Sequence, residues 1–504
     1  MRAQKPREIA ARILQQQEKA ADYVENLLEA GLPDLAPADR GLCQELVYGA
    51  VRWQRTLDWL IARKTEGRTQ KTALQILLRL GLYQMFWLDR IPDHAAVHET
   101  VELAKRLGLG PQAGFLNAIL RACAREREQI KQQLAELKVT QPGLGHSHPD
   151  WLCDRWQKRW GANRLCQLLE WNNTPPKTFA RVNTLRTDAG PLVEQWRAEG
   201  VEYDFLRRDW LEENLVFELK SHPPLSGLPS FQQGLFYVQD PSTLLAVRQL
   251  DPRPGETVLD LCAAPGGKTA YIAQRMQDRG RVVACDRDGS RLKMLRENCL
   301  RLGVTCVEPA VIRVGDRDPS RSASDPTGPR PAGGGRTFVR TLTVPLPGGV
   351  GAGFTGPGRE HSGSDPDAMP SGHDEGKQAD PIPFTALPAG QFERVLVDAP
   401  CSNTGVMRRR VDLRWRIRPG EIERLHSVQL ELLHVAAGQT KPGGVLVYST
   451  CSLEPEENNE VVKEFLATHT EFTMESERDL VPFEDGVDGA YGAKFQRHGQ
   501  RTAS

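Results

Sequence analysis

The sequence predicts a three-part α/β protein: an all-helical N-terminal domain, a small α+β domain and a doubly wound parallel sheet. Three observations carry this reading. Apolar residues at helical spacing fill the stretch up to about residue 140; strand and helix patterns mix over 145–240; and from 241 short apolar runs alternate with glycine turns and helical segments.

In the first part, Ile9, Ile13 and Leu14 open an apolar stripe that Tyr23, Val24, Leu27 and Leu28 continue. Residues 42–53 (LCQELVYGAVRW), 73–88, 94–107 and 115–126 read as buried or amphipathic helices. Turn signals at Gly31–Pro33, Ile91–Pro92 and Gly108–Pro111 separate them. His94 and His98 lie four apart beside Glu99, but the HExxH order of a zinc helix is absent, and capping or packing is the ordinary role of such residues, so no metal is expected. Residues 141–150 (QPGLGHSHPD) read as a linker, with Pro149 suited to the first turn of a helix carrying Trp151, Trp156 and Trp160. Residues 178–186 alternate as a strand does. The third part, 241–500, holds four buried-strand runs at 257–262, 281–286, 393–398 and 444–450. Residues 318–391 break its pattern: 14 Gly and 12 Pro in 74 positions exceed the rough 25–30% that marks low complexity, so this segment reads as a disordered insertion between two strands.

The bulk numbers bound the partners. With 504 residues and a formal net charge of zero, whole-chain electrostatics favours no polyanion, and any nucleic-acid surface must be local. Ten scattered cysteines without a CxxC pair argue against a zinc ribbon. The N-terminal stretch does not resemble a signal peptide, and no apolar run could span a bilayer. The expectation is a cytoplasmic, reducing compartment, no membrane contact and a monomer.

Chemistry concentrates in the third part. DLCAAPGGKTAYIA (260–273) reads as strand, glycine turn, helix, with Cys262, Ala263, Ala264, Pro265, Gly266, Gly267 and Lys268 forming the loop. Cys262 stands where a phosphate loop needs its first glycine, and the GxGxxG of a dinucleotide fold is absent. S-adenosylmethionine needs no phosphate cradle, only a close-packed turn and an acid ending the next strand for its ribose, and Asp286 is so placed. A purely structural glycine turn beside a solvent Asp is the bland alternative.

DAPCSNTG (398–405) and STCSLEPEEN (449–458) follow two further strand ends, so Cys401 and Cys451 should face the same crevice as the loop. Most free cysteines are simply small buried residues. These two close polar, Pro/Ser/Thr-rich strand ends, where packing gives little reason for Cys. A thiolate beside a methyl donor suits cytosine: addition to carbon 6 makes carbon 5 nucleophilic enough to accept the methyl group. Asp398 is the candidate acid near the ring nitrogen, with Lys268 orienting it or offsetting its charge.

At these residues the chain resembles the RsmB/Sun-type 16S ribosomal RNA cytosine-5 methyltransferases. DLCAAPGGKT, DAPCSNTGVMRRRVDLRWR and YSTCSLEPEENNEVV look like the family's signature blocks, and FYVQDPST (236–243) and DGAYGAKFQR (488–497) also fit. LVYGAVRW, LLRLGLYQMFWLDRIPDHAAVHETVELAK and GFLNAILR look like a NusB-type RNA-binding helical domain. The resemblance implies a Rossmann-like methyltransferase domain, S-adenosylmethionine as cofactor and unassembled small-subunit ribosomal RNA as partner. It also implies Cys451 as nucleophile, Cys401 as the residue assisting release, and cofactor contacts at 262–268, Asp286, Asp398 and one further Asp, best matched by Asp316. The DNA cytosine-5 enzymes, which resemble this chemistry, attack with the PC-block cysteine, so the TCS block points to RNA. Competing readings are a DNA cytosine methyltransferase and a non-catalytic RNA-binding assembly factor; intact Cys401, Cys451, Asp398 and Lys268 argue against the latter.

The segment 408–418 (RRRVDLRWRIR) holds six Arg and one Asp. A solvated basic face is its default reading. Its place after the PC block favours phosphate binding, with Trp415 free to stack on a base and with salt-dependent RNA affinity.

Overall fold

The computed structural model describes residues 6–19, 22–32, 35–313, 382–383 and 392–499. The N-terminal region is helical throughout, from Pro6–Gln17 through Val24–Gly31, Pro37–Arg52, Gln54–Lys64, Thr72–Trp87, Asp93–Arg106 and Ala113–Arg125 to Arg127–Thr140. Thr72–Trp87 is apolar on almost every face, and Leu74, Ile76, Leu77, Leu78, Leu80, Leu82 and Met85 are all buried. A helix of that pattern must lie at the centre of its bundle.

The expected linker is not a free tether. Pro142–Gly145 forms a helical turn, and His146, Ser147 and His148 are buried. The reason is local pairing: Arg55 Nη1 donates to the His148 carbonyl at 2.6 Å, and its guanidinium grips both oxygens of Asp150 at 2.7 and 2.6 Å. The long helix Asp150–Asn173 follows.

The small domain is a four-stranded antiparallel sheet of β1 (Thr178–Val182), β2 (Glu202–Phe205), β3 (Val216–Ser221) and β4 (Phe236–Val238), in the order β2-β3-β1-β4. Helix Ala189–Glu199 packs on it through the fully buried Trp196.

The third domain contains β5 (Thr257–Leu261), β6 (Arg281–Asp286), β7 (Val307–Arg313), β8 (Ile382–Pro383), β9 (Phe392–Asp398), β10 (Thr440–Thr450), β11 (Phe472–Leu480) and β12 (Ala490–Arg497). Their order is β11-β12-β10-β9-β5-β6-β7-β8. All neighbours from β10 to β8 pair in parallel, and β12 runs antiparallel to β10 and β11. The chain leaves β5 toward β6 on one side and returns to β9 on the other, so the crevice at the carboxyl ends of β5 and β9 is a topological switch point. Of the insertion expected at 318–391, only Ile382–Pro383 is described, paired with Ile312–Arg313; the rest, with Asp316 just before it, lies outside the described residues. Among the described residues, no helix is long and apolar enough to cross a membrane.

The basic segment 408–418 departs from expectation. It is an inner seam between domains, not a solvated RNA-binding face. Arg414 is fully buried; it donates to the carbonyls of Arg52, Ser147 and Asn172 and to Asn173 Oδ1 at 3.4, 3.3, 3.0 and 2.8 Å. Arg52 and Asn172 end helices, where carbonyls lack helical partners and a cation is favoured. Trp415 is not free to stack on a base: its Nε1 donates to the Val51 carbonyl at 2.8 Å, and its ring packs on the helical-domain core beside Val411. Asp412 Oδ2 accepts from Val24 N at 3.2 Å at the start of helix Val24–Gly31, and from Arg416 Nε at 3.0 Å.

The same seam carries a pH dependence. Burial, and next the neighbouring Asp412, push the Glu25 carboxyl up to about 7; Arg410 and Arg416 only partly oppose this. The folded state then holds a proton that the unfolded state releases near 4.5, so the contribution of this group to stability falls as pH rises from about 4.5 to about 7. Glu25→Gln is expected to match the wild-type melting temperature at about pH 4 and to exceed it at about pH 8. A wild-type minus variant difference that does not vary with pH would refute this.

Candidate active site

The loop after β5 is shaped by its backbone. Cys262 takes φ 62° and Gly266 φ 105°, and helix Gly267–Arg275 starts immediately after the turn. A Cβ on Gly266 would sit 3.0 Å from Leu295 Cγ, so a larger residue there would combine left-handed strain with a clash. Asp286, ending β6, is buried. Its Oδ2 accepts from Ala264 N at 3.2 Å, its Oδ1 from Asp288 N at 3.0 Å, and Arg291 lies 3.4 Å away. The acid expected to serve a ribose thus also fixes the loop.

One residue of this region was not singled out from sequence. Asp260, inside β5, is fully buried; Oδ2 accepts from Thr269 Oγ1 at 2.7 Å, while Oδ1 has no partner among the described residues. Burial pushes its carboxyl up to about 7, and Asp398 and Asp286 add to the rise. An unsatisfied buried oxygen under a glycine turn fits a loop that receives a polar, cationic ligand.

Lys268 Nζ donates to Asp398 Oδ2 at 2.7 Å, and Ser449 Oγ donates to Asp398 Oδ1 at 3.0 Å. Burial works against the Lys268 charge, but Asp398, and after it Cys451, more than offset this and raise its affinity for a proton.

The two expected cysteines meet. Cys401 Sγ and Cys451 Sγ are 3.2 Å apart, and Cys451 N donates to Cys401 Sγ at 3.3 Å. Contact with Cys451 first, and burial second, push the Cys401 thiol up strongly. The loops approach closely because Gly405 N donates to the Cys451 carbonyl at 3.0 Å. A Cβ on Gly405 would lie 2.8 Å from that oxygen and from Gly489 Cα.

Glu457, also unforeseen, ties the two loops from beneath. It is fully buried. Oε1 accepts from Ser402 N at 2.8 Å and Gln429 Nε2 at 3.0 Å, and Oε2 accepts from the hydroxyls of Ser402 and Ser452. Glu457→Ala strands several buried donors, so it is expected to cost about 2–4 kcal/mol, with Glu457→Gln milder. Urea unfolding of both variants checks this; equal stability of Glu457→Ala and wild type would exclude the tie.

The arginines that follow the PC block are paired with buried acids. Arg408 Nε donates to Asp488 Oδ1 at 2.6 Å and Arg408 Nη2 to Asp240 Oδ2 at 3.3 Å. Arg409 bonds both acids, reaching Asp240 Oδ2 at 2.8 Å. Asp240 and Asp488 belong to the FYVQDPST and DGAYGAKFQR blocks, so these blocks meet the arginines of the PC block in one cluster.

A helical bundle, a small antiparallel sheet and a doubly wound sheet with a glycine loop at its switch point define a Rossmann-like methyltransferase with an N-terminal helical domain. The NusB family matches residues 4–125, the ferredoxin-like domain of RsmF/B-type methyltransferases matches 148–218, and the 16S rRNA methyltransferase RsmB/F family matches 247–327 and 373–496. A Bacillus subtilis protein named probable ribosomal RNA small subunit methyltransferase B is 33% identical over 473 residues, covering 92% of this chain and 89% of that one. The solved structure of PH0851 superposes with a TM-score of 0.67 at 22% identity, covering 98% of this chain and 99% of that one. NSun6 from Pyrococcus horikoshii, solved with SFG, gives 0.50 at 19% identity, covering 69% and 98%. The chain belongs to the RsmB/F family of 16S rRNA methyltransferases, with a NusB domain at its N-terminus.

Proposed function

We propose that this protein transfers a methyl group from S-adenosylmethionine to carbon 5 of a cytosine in small-subunit ribosomal RNA, through a covalent bond between Cys451 and the base. The observation that carries the reading is the meeting of two thiols, from adjacent strand ends, beside the Lys268–Asp398 pair. S-adenosylmethionine would be held by residues 262–268, with Asp286 and Asp398 nearby, and supplies an electrophilic methyl group.

The residues divide the work. As the Cys451 sulfur bonds to carbon 6, its proton passes by way of Asp398 to the ring nitrogen, and electron density shifts to carbon 5. Asp398, held by Lys268 and Ser449, would carry that proton and so neutralise the charge that addition develops on the ring nitrogen. After carbon 5 is methylated its proton passes to solvent, the sulfur–carbon 6 bond breaks, the electron pair returns to Cys451, and the ring nitrogen gives back its added proton. Cys401, in contact with Cys451, is placed to assist that release. The base must leave its stack to reach the crevice, which favours RNA not yet buried in an assembled subunit.

Incubation of the full chain with labelled cofactor and naked small-subunit RNA, followed by nucleoside analysis, tests the reading. The expected product is 5-methylcytidine at one site. A different methylated nucleoside, or methylation of DNA in preference to RNA, would overturn it.

A further inference from the structure

We propose that Asn403 is the positioning residue of the two-thiol site, holding the Cys451 sulfur in its attacking orientation by reading both cysteines at once. The proposal rests on the reading of Cys451 as the nucleophile. Asn403 Nδ2 donates to the Cys401 carbonyl at 2.6 Å, and Cys451 Sγ donates to Asn403 Oδ1 at 3.0 Å. The orientation of the carboxamide follows from chemistry: a carbonyl can only accept, so the amide nitrogen faces Cys401 and the oxygen faces the thiol. One planar group therefore couples the main chain of one cysteine to the sulfur of the other.

The backbone supports this assignment independently. Asn403 has φ 60°, a conformation that favours glycine and that Asn tolerates better than most residues. Its side chain is buried. Glycine would relieve the strain at no steric cost, so conformation alone does not call for Asn; the two hydrogen bonds do. The hydrogen bond from the Cys451 thiol to the Asn403 amide oxygen fixes where the sulfur points in the resting site.

Asn403→Gly removes the carboxamide and keeps the turn, so folding is preserved. Two measurements read it. The first is the rate of forming an SDS-stable RNA–protein adduct in the Cys401→Ala background, with saturating RNA and cofactor. About tenfold slowing is expected, the equivalent of one lost orienting hydrogen bond. The second is peptide-resolved alkylation of Cys451 by iodoacetamide without RNA, where a thiol freed from its acceptor should react about three- to tenfold faster. Slower attack on RNA together with faster alkylation is the signature of lost positioning. Unchanged adduct formation in Asn403→Gly overturns the proposal, and so does slower adduct formation with unchanged alkylation. If Cys401→Ala itself accumulates no adduct, the release role of Cys401 fails instead, and alkylation of Cys451 alone decides whether Asn403 holds the thiol.

Discussion

Cys451→Ala is expected to lose at least about 10⁴-fold in methyl transfer while binding the cofactor product with unchanged affinity. Removing a nucleophile that acts with its neighbours as a unit eliminates almost all the rate, as knockouts at other covalent sites do. The cofactor loop is built from β5, β6 and the helix after Gly266, and none of its bonds passes through Cys451. Cys401→Ala should behave differently: attack proceeds, release fails, and a covalent RNA–protein species accumulates. Calorimetric titration with S-adenosylhomocysteine, a methyl-transfer assay and a denaturing gel separate these outcomes. Residual turnover in Cys451→Ala above a few per cent of wild type would exclude it as the nucleophile. A trapped adduct in Cys451→Ala, but none in Cys401→Ala, would exchange the two roles.

The second large effect is on stability. Asp488 is 2% exposed and balances Arg408, itself 1% exposed, together with Arg409. Asp488→Ala leaves a buried guanidinium with only Asp240, at 3.3 Å, as its acid. Breaking a buried pair by removing one partner costs about 3–5 kcal/mol, because the remaining charge stays desolvated. The fall should show in urea unfolding. The double change Asp488→Ala/Arg408→Leu should recover part of it, since no orphan charge then remains. A double variant as unstable as the sum of the two single ones would deny the coupling.

Several parts of this site were legible in the amino-acid order. The glycine turn at Gly266–Gly267 and the strand-end cysteines are local patterns, and a parallel sheet brings such ends to one edge whatever the rest of the chain does. The helical domain was legible too, because helical periodicity is short-range. What failed was long-range pairing. Arg414 and Trp415 read as solvent-facing because a run of six arginines ordinarily is; their partners Arg52 and Val51 lie more than 360 residues earlier. Glu457 was equally opaque. In PEEN an acid after proline looks like a helix start, and Ser402 and Ser452 converge on it only once β9 and β10 lie side by side. Asn403 gave one faint cue, a turn-forming residue directly after a Cys–Ser pair.

The seam at Val411–Trp415 bears on how such an enzyme can be taken apart. A helical module that only tethered RNA could be exchanged between proteins as a cartridge. Here its loss would uncover Val411 and Trp415, take the Val51 carbonyl from the Trp415 indole and leave the Arg414 guanidinium without the Arg52 carbonyl, in the same stretch of chain that leads back to Cys401. The fusion is therefore obligate, and a protease nick between residues 141 and 150 should yield two fragments that co-migrate until they are denatured.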